Sequence, residues 1–215
     1  MLISIERDGS ARAREALERC IAEGGVAVFP ADTLYGLACD PSNGPAIDRI
    51  QALKGREDAK PSAVMFFAPL AMRELLSALR PRTREALGAL LPGPVTVVVD
   101  NPEHRYRLAC REDPRRLGLR LIEGPLAGAR CAILQTSANL SGQPAPSRFA
   151  DVDPAILGEV DLAIDGGELT GMPSTVIDLT AIEDEGTWSI LRQGALPAER
   201  VSDLLATLAA GNREG

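Results

Sequence analysis

Short, nearly continuous apolar runs recur along this chain, each bounded by glycine, proline or a polar turn. VAVFP (26–30), AVMFFA (63–68), VTVVVD (95–100), LGLRL (117–121) and AILQ (132–135) are of this kind, and further strands are expected around 161–165, 175–179 and 188–191. They are too short for helices, and their valine-rich members suit a pleated surface. Between them lie stretches with helical spacing. Ser10 reads as an N-cap, after which Ala13, Ala16, Leu17, Cys20 and Ile21 repeat on one face until Gly24 stops the pattern. Residues 45–53 put Ile47, Ile50 and Leu53 together, 69–79 and 82–91 read as two helices broken at Pro81, and a last helix is expected near 197–209. Strands that are apolar throughout and alternate with helices predict a sheet covered on both faces. The expectation is an α/β fold: one domain over 1–210, built on a twisted mixed sheet flanked by helices, with a frayed tail at 211–215.

Composition narrows the function classes. Apolar residues make up 45% and charged residues 25%, ordinary for a soluble domain, while aromatics at 3% leave the core to Ala, Val, Ile and Leu. No apolar run approaches the ~20 residues of a membrane helix. The start, MLISIERDGS, lacks the basic-then-apolar pattern of a secretory signal, so a cytoplasmic protein is expected, with no membrane partner. Cys20, Cys39, Cys110 and Cys131 show no metal or redox spacing. The single histidine, His104, sits in a polar stretch and reads as a solvated loop residue. No metal-ligating set is therefore predicted. A net charge of −7 argues against gripping nucleic acid along its backbone. Yet of 23 basic residues only Lys54 and Lys60 are lysines, and both lie in KGREDAK with Arg56 between them.

Five segments place polar groups beside strand ends, where open α/β sheets bind ligands. PADTLYGL (30–37) offers Thr33, although a capping turn explains it equally well. KGREDAKP (54–61) offers three cations suited to phosphate oxygens, weighed against a solvated loop. Arg120 lies inside an apolar strand and needs a partner, either an acidic neighbour or a substrate carboxylate. QTSANLSGQPAPS (135–147) carries Ser137, Asn139 and Ser141 in turns that can cradle an anion. GMPSTVIDL (171–179) offers Ser174 as a hydrogen-bond donor, with Arg192 following in ILRQG.

Taken in order, GGVAVFPADTLYGL, KGREDAKP, PGPVTVVV, LGLR, TSANLSG and GMPSTVIDL with LRQG resemble the YrdC-like domain of threonylcarbamoyl-AMP synthases. The resemblance runs from about Gly24 to Arg192 and fits the short, single-domain type. It implies a YrdC-like fold with a large, concave, basic cleft. It also implies formation of threonylcarbamoyl-AMP and pyrophosphate from L-threonine, bicarbonate and ATP, with Mg2+ bound alongside the ATP. The product would serve threonylcarbamoyl-adenosine formation in tRNA, which makes tRNA or the downstream threonylcarbamoyl transferase complex the implied partners. By resemblance, Thr33, Arg120, Ser137 and Ser174 face the threonine. Lys54 and Arg56 are the implied catalytic cations, and they hold ATP with Lys60, Asn139, Ser147 and Arg192. Lys54→Ala or Arg56→Ala is then expected to abolish turnover and leave the fold intact. The sequence departs from the pattern at Ala31, Ser62, Leu121–Ile122 and Gln193, and at Met65, where the family commonly has histidine. The alternative is a paralogue that binds nucleotide or double-stranded RNA with a different acceptor or none.

Overall fold

Ten strands form one sheet in the computed structural model, which describes residues 1–55 and 62–210, the last four as backbone only. Arg56, Lys60 and the tail at 211–215 lie outside the described residues. The chain begins with β1 (Leu2–Ser4), α1 (Ile5–Asp8), α2 (Ser10–Ala22), β2 (Ala27–Pro30), β3 (Tyr35–Cys39) and α3 (Gly44–Lys54). It continues through β4 (Ala63–Phe66), α4 (Arg73–Ala78), α5 (Pro81–Leu90), β5 (Val95–Asp100), α6 (Arg107–Cys110), β6 (Arg116–Leu121) and β7 (Ile133–Ser137). It ends with α7 (Pro154–Glu159), β8 (Leu162–Asp165), β9 (Thr175–Asp178), β10 (Ser189–Arg192) and α8 (Ala198–Ala210). The sheet order is β1-β8-β2-β3-β7-β4-β6-β5-β9-β10, and it is mixed. β1–β8, β8–β2, β4–β6 and β5–β9 run parallel, and the remaining neighbours antiparallel.

Local chemistry explains most boundaries. Asn43 caps α3 by accepting from the Ala46 amide at 3.1 Å, and Gly55 ends it in the left-handed conformation at φ 62°. α5 starts on Pro81, whose missing amide proton costs nothing in a first turn. Ser10 is not the cap the sequence suggests. It is the first helical residue, and Gly9 at φ 83° makes the turn, because α1 ends directly before it. The cap serine is Ser4, which accepts from Arg7 N at 3.4 Å. β1, α1, α6 and α7 are too short to show a period in sequence.

The two sheet faces are covered unequally. One carries Val28, Leu37, Val64, Val97, Leu119 and Ile177, packed under α3, α4, α5, α7 and α8. On the other, Ala27, Phe29, Met65, Ile133, Leu162 and Ile164 pack beneath α2, through its Leu17 and Ile21, and beneath the 122–131 connector. At roughly 1.5–3 kcal/mol for each large apolar side chain buried, this stripe holds α2 down. Among the described residues, no helix covers the β6-β5-β9 half of that face. Coverage of both faces, expected from the apolar strands, thus holds on only part of the sheet. The strand pattern agrees: β5 alternates buried Val95, Val97 and Val99 with half-buried Thr96 and Val98.

Candidate functional site

The uncovered half-face is the floor of a cavity of about 580 Å³, within the range that holds small-molecule ligands. Thr96 and Val98 of β5, Gly118 and Arg120 of β6, Gln135 and Ser137 of β7 and Val176 of β9 line it. Each alternates with a core residue, so the two-residue strand period alone aims these groups outward. One wall is the tip of the β2–β3 hairpin, closed by Ala31 N on Leu34 O at 3.2 Å. Others are Pro173–Ser174 with Leu191–Arg192, and Cys110 with Asp113 and Arg116. Arg116, Arg120 and Arg192 line the cavity against Asp113, which gives its described lining a positive balance.

Arg120 is 4% exposed and donates through Nη2 to Asp32 Oδ1 and through Nη1 to Gln135 Oε1 at 3.3 Å. Both readings of its strand position are thus present, since it meets an acidic neighbour and also lines the cavity. β3 and β6 are separated by β7 and β4, roughly 14 Å of sheet. The hairpin tip therefore arches over the face to bring Asp32 there. Burial pulls the Arg120 guanidinium down from its ordinary range, and the Asp32 charge opposes that. The pair is only half made. Arg120 Nε and Asp32 Oδ2 are buried without hydrogen-bond partners; among the described residues only Gln51 Nε2, on α3, shares that condition.

Ser174 is also buried, with Oγ 3.0 Å from Thr96 Oγ1. Arg192 Nη2 donates to Ser174 O at 2.8 Å and lies 3.3 Å from its Oγ. No carboxylate pairs with Arg192 among the described residues, and burial lowers the pKa of its guanidinium. Thr175 fixes this corner: its Oγ1 accepts from Gly194 N at 3.0 Å and Leu196 N at 3.1 Å and donates to Leu196 O at 2.7 Å. A Cβ on Gly194 would lie 2.2 Å from Pro173 O, so only glycine fits.

Lys54, the last residue of α3, is 2% exposed. Its ammonium donates to Ser137 O and, at 2.8 Å, to Asn139 O, with Ser137 Oγ at 3.5 Å and Asn139 Oδ1 at 3.4 Å. Asn139 Nδ2 closes the same loop onto Leu140 O and Gln143 O at 2.8 and 2.7 Å. Lys54 and Asn139 thus meet behind Ser137 and do not line the cavity. Thr33, 3% exposed, lines it, and its carbonyl accepts from Gly171 N at 3.0 Å. Tyr35 Oη accepts from Gly166 N at 2.9 Å and donates to Gly167 O at 2.8 Å. Ser147 O accepts from Leu169 N at 2.8 Å. These bonds knit the 166–171 loop to the hairpin as one wall, and Ser147 belongs to that wall rather than to the cavity lining.

Five residues singled out in the sequence, Thr33, Arg120, Ser137, Ser174 and Arg192, therefore share the cavity. Sequence reasoning missed Asp32, Gln135 and Thr96. The last two are polar residues inside apolar strands, the same signal that singled out Arg120. Met65 is fully buried in the α2 cluster, in register with Arg120, and lies outside the cavity lining. His104 is exposed, as expected. No group of three or more His, Cys, Asp or Glu side chains that could hold a metal ion occurs among the described residues. None of their helices is long and apolar enough to cross a membrane.

Comparison with known proteins gives a consistent result. The family model Sua5_yciO_yrdC, described as telomere recombination, matches residues 19–194. A threonylcarbamoyl-AMP synthase of Pyrococcus abyssi is 33% identical over 87% of this chain, which spans 56% of that relative's length. A threonylcarbamoyl-AMP synthase of Xanthomonas euvesicatoria pv. vesicatoria is 32% identical over 82% of the chain and 96% of its own length. The solved structure of Pyrococcus abyssi Sua5 complexed with L-threonine superposes with a TM-score of 0.79 at 29% identity, over 95% of this chain and 60% of that one.

Proposed function

The chain belongs to the Sua5/YciO/YrdC family, and from that premise we propose that it forms threonylcarbamoyl-AMP and pyrophosphate from L-threonine, bicarbonate and ATP. The observation that carries this reading is the cavity itself. Five separate segments supply Thr33, Arg120, Ser137, Ser174 and Arg192 to one concave, arginine-lined site. Residues with these roles in view cannot act as strong bases, and the reaction does not ask for one at the adenylation step. A carbamate oxygen is already a nucleophile at neutral pH; it attacks the α-phosphorus, and pyrophosphate leaves. The protein's task is positioning and neutralisation of charge.

On this reading Arg120 takes the threonine carboxylate, with Thr33, Ser137 and Ser174 supplying hydrogen bonds around it. Arg192, held against Ser174 and with no acidic partner among the described residues, answers the charge of the nucleotide phosphates together with Arg56 and Lys60. Lys54 and Asn139 act from behind Ser137, keeping the TSAN loop in the shape that presents its amides and hydroxyls. Ser147 contributes through the wall it shares with Gly171. Magnesium, if carried in on the ATP phosphates, would supply further charge neutralisation beside Arg192. Among the described residues the donor set fits an ion carried by substrate oxygens and water rather than a protein cage. The adenylate then passes to the tRNA-modifying threonylcarbamoyl transferase.

The test is pyrophosphate release from ATP with magnesium and bicarbonate, with and without L-threonine, and with L-serine as control. Threonine-dependent release is expected. Release indifferent to every amino acid would overturn the acceptor assignment.

A further inference from the structure

The half-made Asp32–Arg120 pair is the most unusual polar feature of the cavity wall. An arginine and a carboxylate ordinarily meet fork to fork, with two parallel bonds that satisfy both groups. Here one bond forms, and a donor, Arg120 Nε, and an acceptor, Asp32 Oδ2, are left over in a buried setting. Leaving either charged group short of partners is costly, so native proteins keep such orphans for a reason. Two orphans on one ion pair, beside a cavity lined by Arg120 and the adjoining Thr33, describe a receptor for a molecule that carries an anion and a cation a few ångströms apart. An α-amino acid has that pattern.

The geometry points to Asp32 as the group that recognises the α-amine of the acceptor while Arg120 takes its carboxylate. This rests on reading the cavity as an amino-acid site, and adds that the site selects for a free α-amine. The motion required is small. The aspartate χ2 torsion is soft and nearly two-fold, so Oδ2 can turn toward the cavity while the other oxygen stays on Arg120. Asp32 keeps 15% of its side chain accessible, against 4% for Arg120, although Oδ2 itself is buried. Gln135, which accepts from Nη1 at 3.3 Å, holds the guanidinium in place meanwhile. The neutral counterpart of this arrangement, in which Asp32 serves only to position Arg120, makes a different prediction.

The experiment is equilibrium binding of two probes to the full chain: L-threonine, and the 2,3-dihydroxybutanoate of the same configuration, in which a hydroxyl replaces the amine. The wild-type chain is expected to prefer threonine by about 30-fold, the scale of one hydrogen bond to a charged group. In Asp32→Asn, which keeps the shape and an oxygen for Arg120, the preference should fall to within about threefold, with affinity for the dihydroxy acid little changed. Asp32→Glu should retain the preference. Equal weakening of both probes in Asp32→Asn would reduce Asp32 to a positioning residue and overturn the proposal alone. Wild-type binding of both probes within about threefold would overturn it without any variant. A wild-type chain that binds neither probe would overturn the amino-acid reading of the cavity and this proposal with it.

Discussion

Replacing Lys54 by methionine should destabilise the fold as well as stop turnover. The sequence suggests a phosphate-binding lysine whose loss leaves the fold intact, but the side chain is 2% exposed and its ammonium ends on two loop carbonyls. Methionine keeps the length of the aliphatic stem, so packing is largely retained and the change isolates the charge. Two hydrogen bonds from a charged donor contribute roughly 1.5–3 kcal/mol each. Ser137 and Asn139 are half-buried, and water can replace part of this, which leaves about 2–4 kcal/mol. A small favourable interaction of the ammonium with the C-terminal end of α3 is lost too. Against a total stability of about 5–15 kcal/mol this is a large loss. It should lower the urea midpoint by roughly 1–2 M with an unchanged slope. The refuting result is a midpoint within about 0.2 M of wild type in a variant that has lost turnover. The ammonium would then serve substrate and not the loop.

Two further expectations follow from the same geometry. Gly194→Ala drives a Cβ into Pro173 O and into the Ser174 backbone, whose carbonyl accepts from Arg192. It should lower kcat/KM for ATP by at least about tenfold, and unchanged kinetics would show that the Ser174–Arg192 corner is not part of the nucleotide site. The alkaline limb of stability should be set by buried thiols. Burial raises Cys20 and Cys131 to about 11 and Cys39 to about 12, from 9.0. The unfolded chain releases these protons first, so their contribution is fully present below pH 9 and is lost as pH rises through 11 to 12. Tyr35, raised from 10.0 to about 12, adds to the loss above pH 10. Urea midpoints measured on either side of about pH 9 should be level below it and fall above it; a level profile throughout would contradict the burial of these groups.

Much of this protein is legible in its sequence because the responsible physics is local. Apolar runs of strand length, helix-period stripes such as Ala13–Leu17–Ile21, and breaks at Gly24 and Pro81 act within a few residues of themselves. Arg120 could be singled out because a charge in an apolar strand demands a partner wherever it folds. What only the tertiary structure decided is which partner, and from where. Strand order sets β7 and β4 between the hairpin and β6, so nothing in the chain near Arg120 foretells Asp32, 88 residues away, arching over to meet it. The uncovered half-face is equally non-local. Thr96, Gly118 and Gln135 become a cavity floor because α2 and the 122–131 connector cover only the other half, a matter of how many elements pack on each side. Lys54 illustrates the same limit: its charge was visible in sequence, but its direction was fixed by the TSAN loop folding back over the end of α3 and presenting carbonyls to it. Backbone preference and hydrophobic period are written residue by residue, whereas the pairing of buried charges depends on distances that exist only after the sheet has formed.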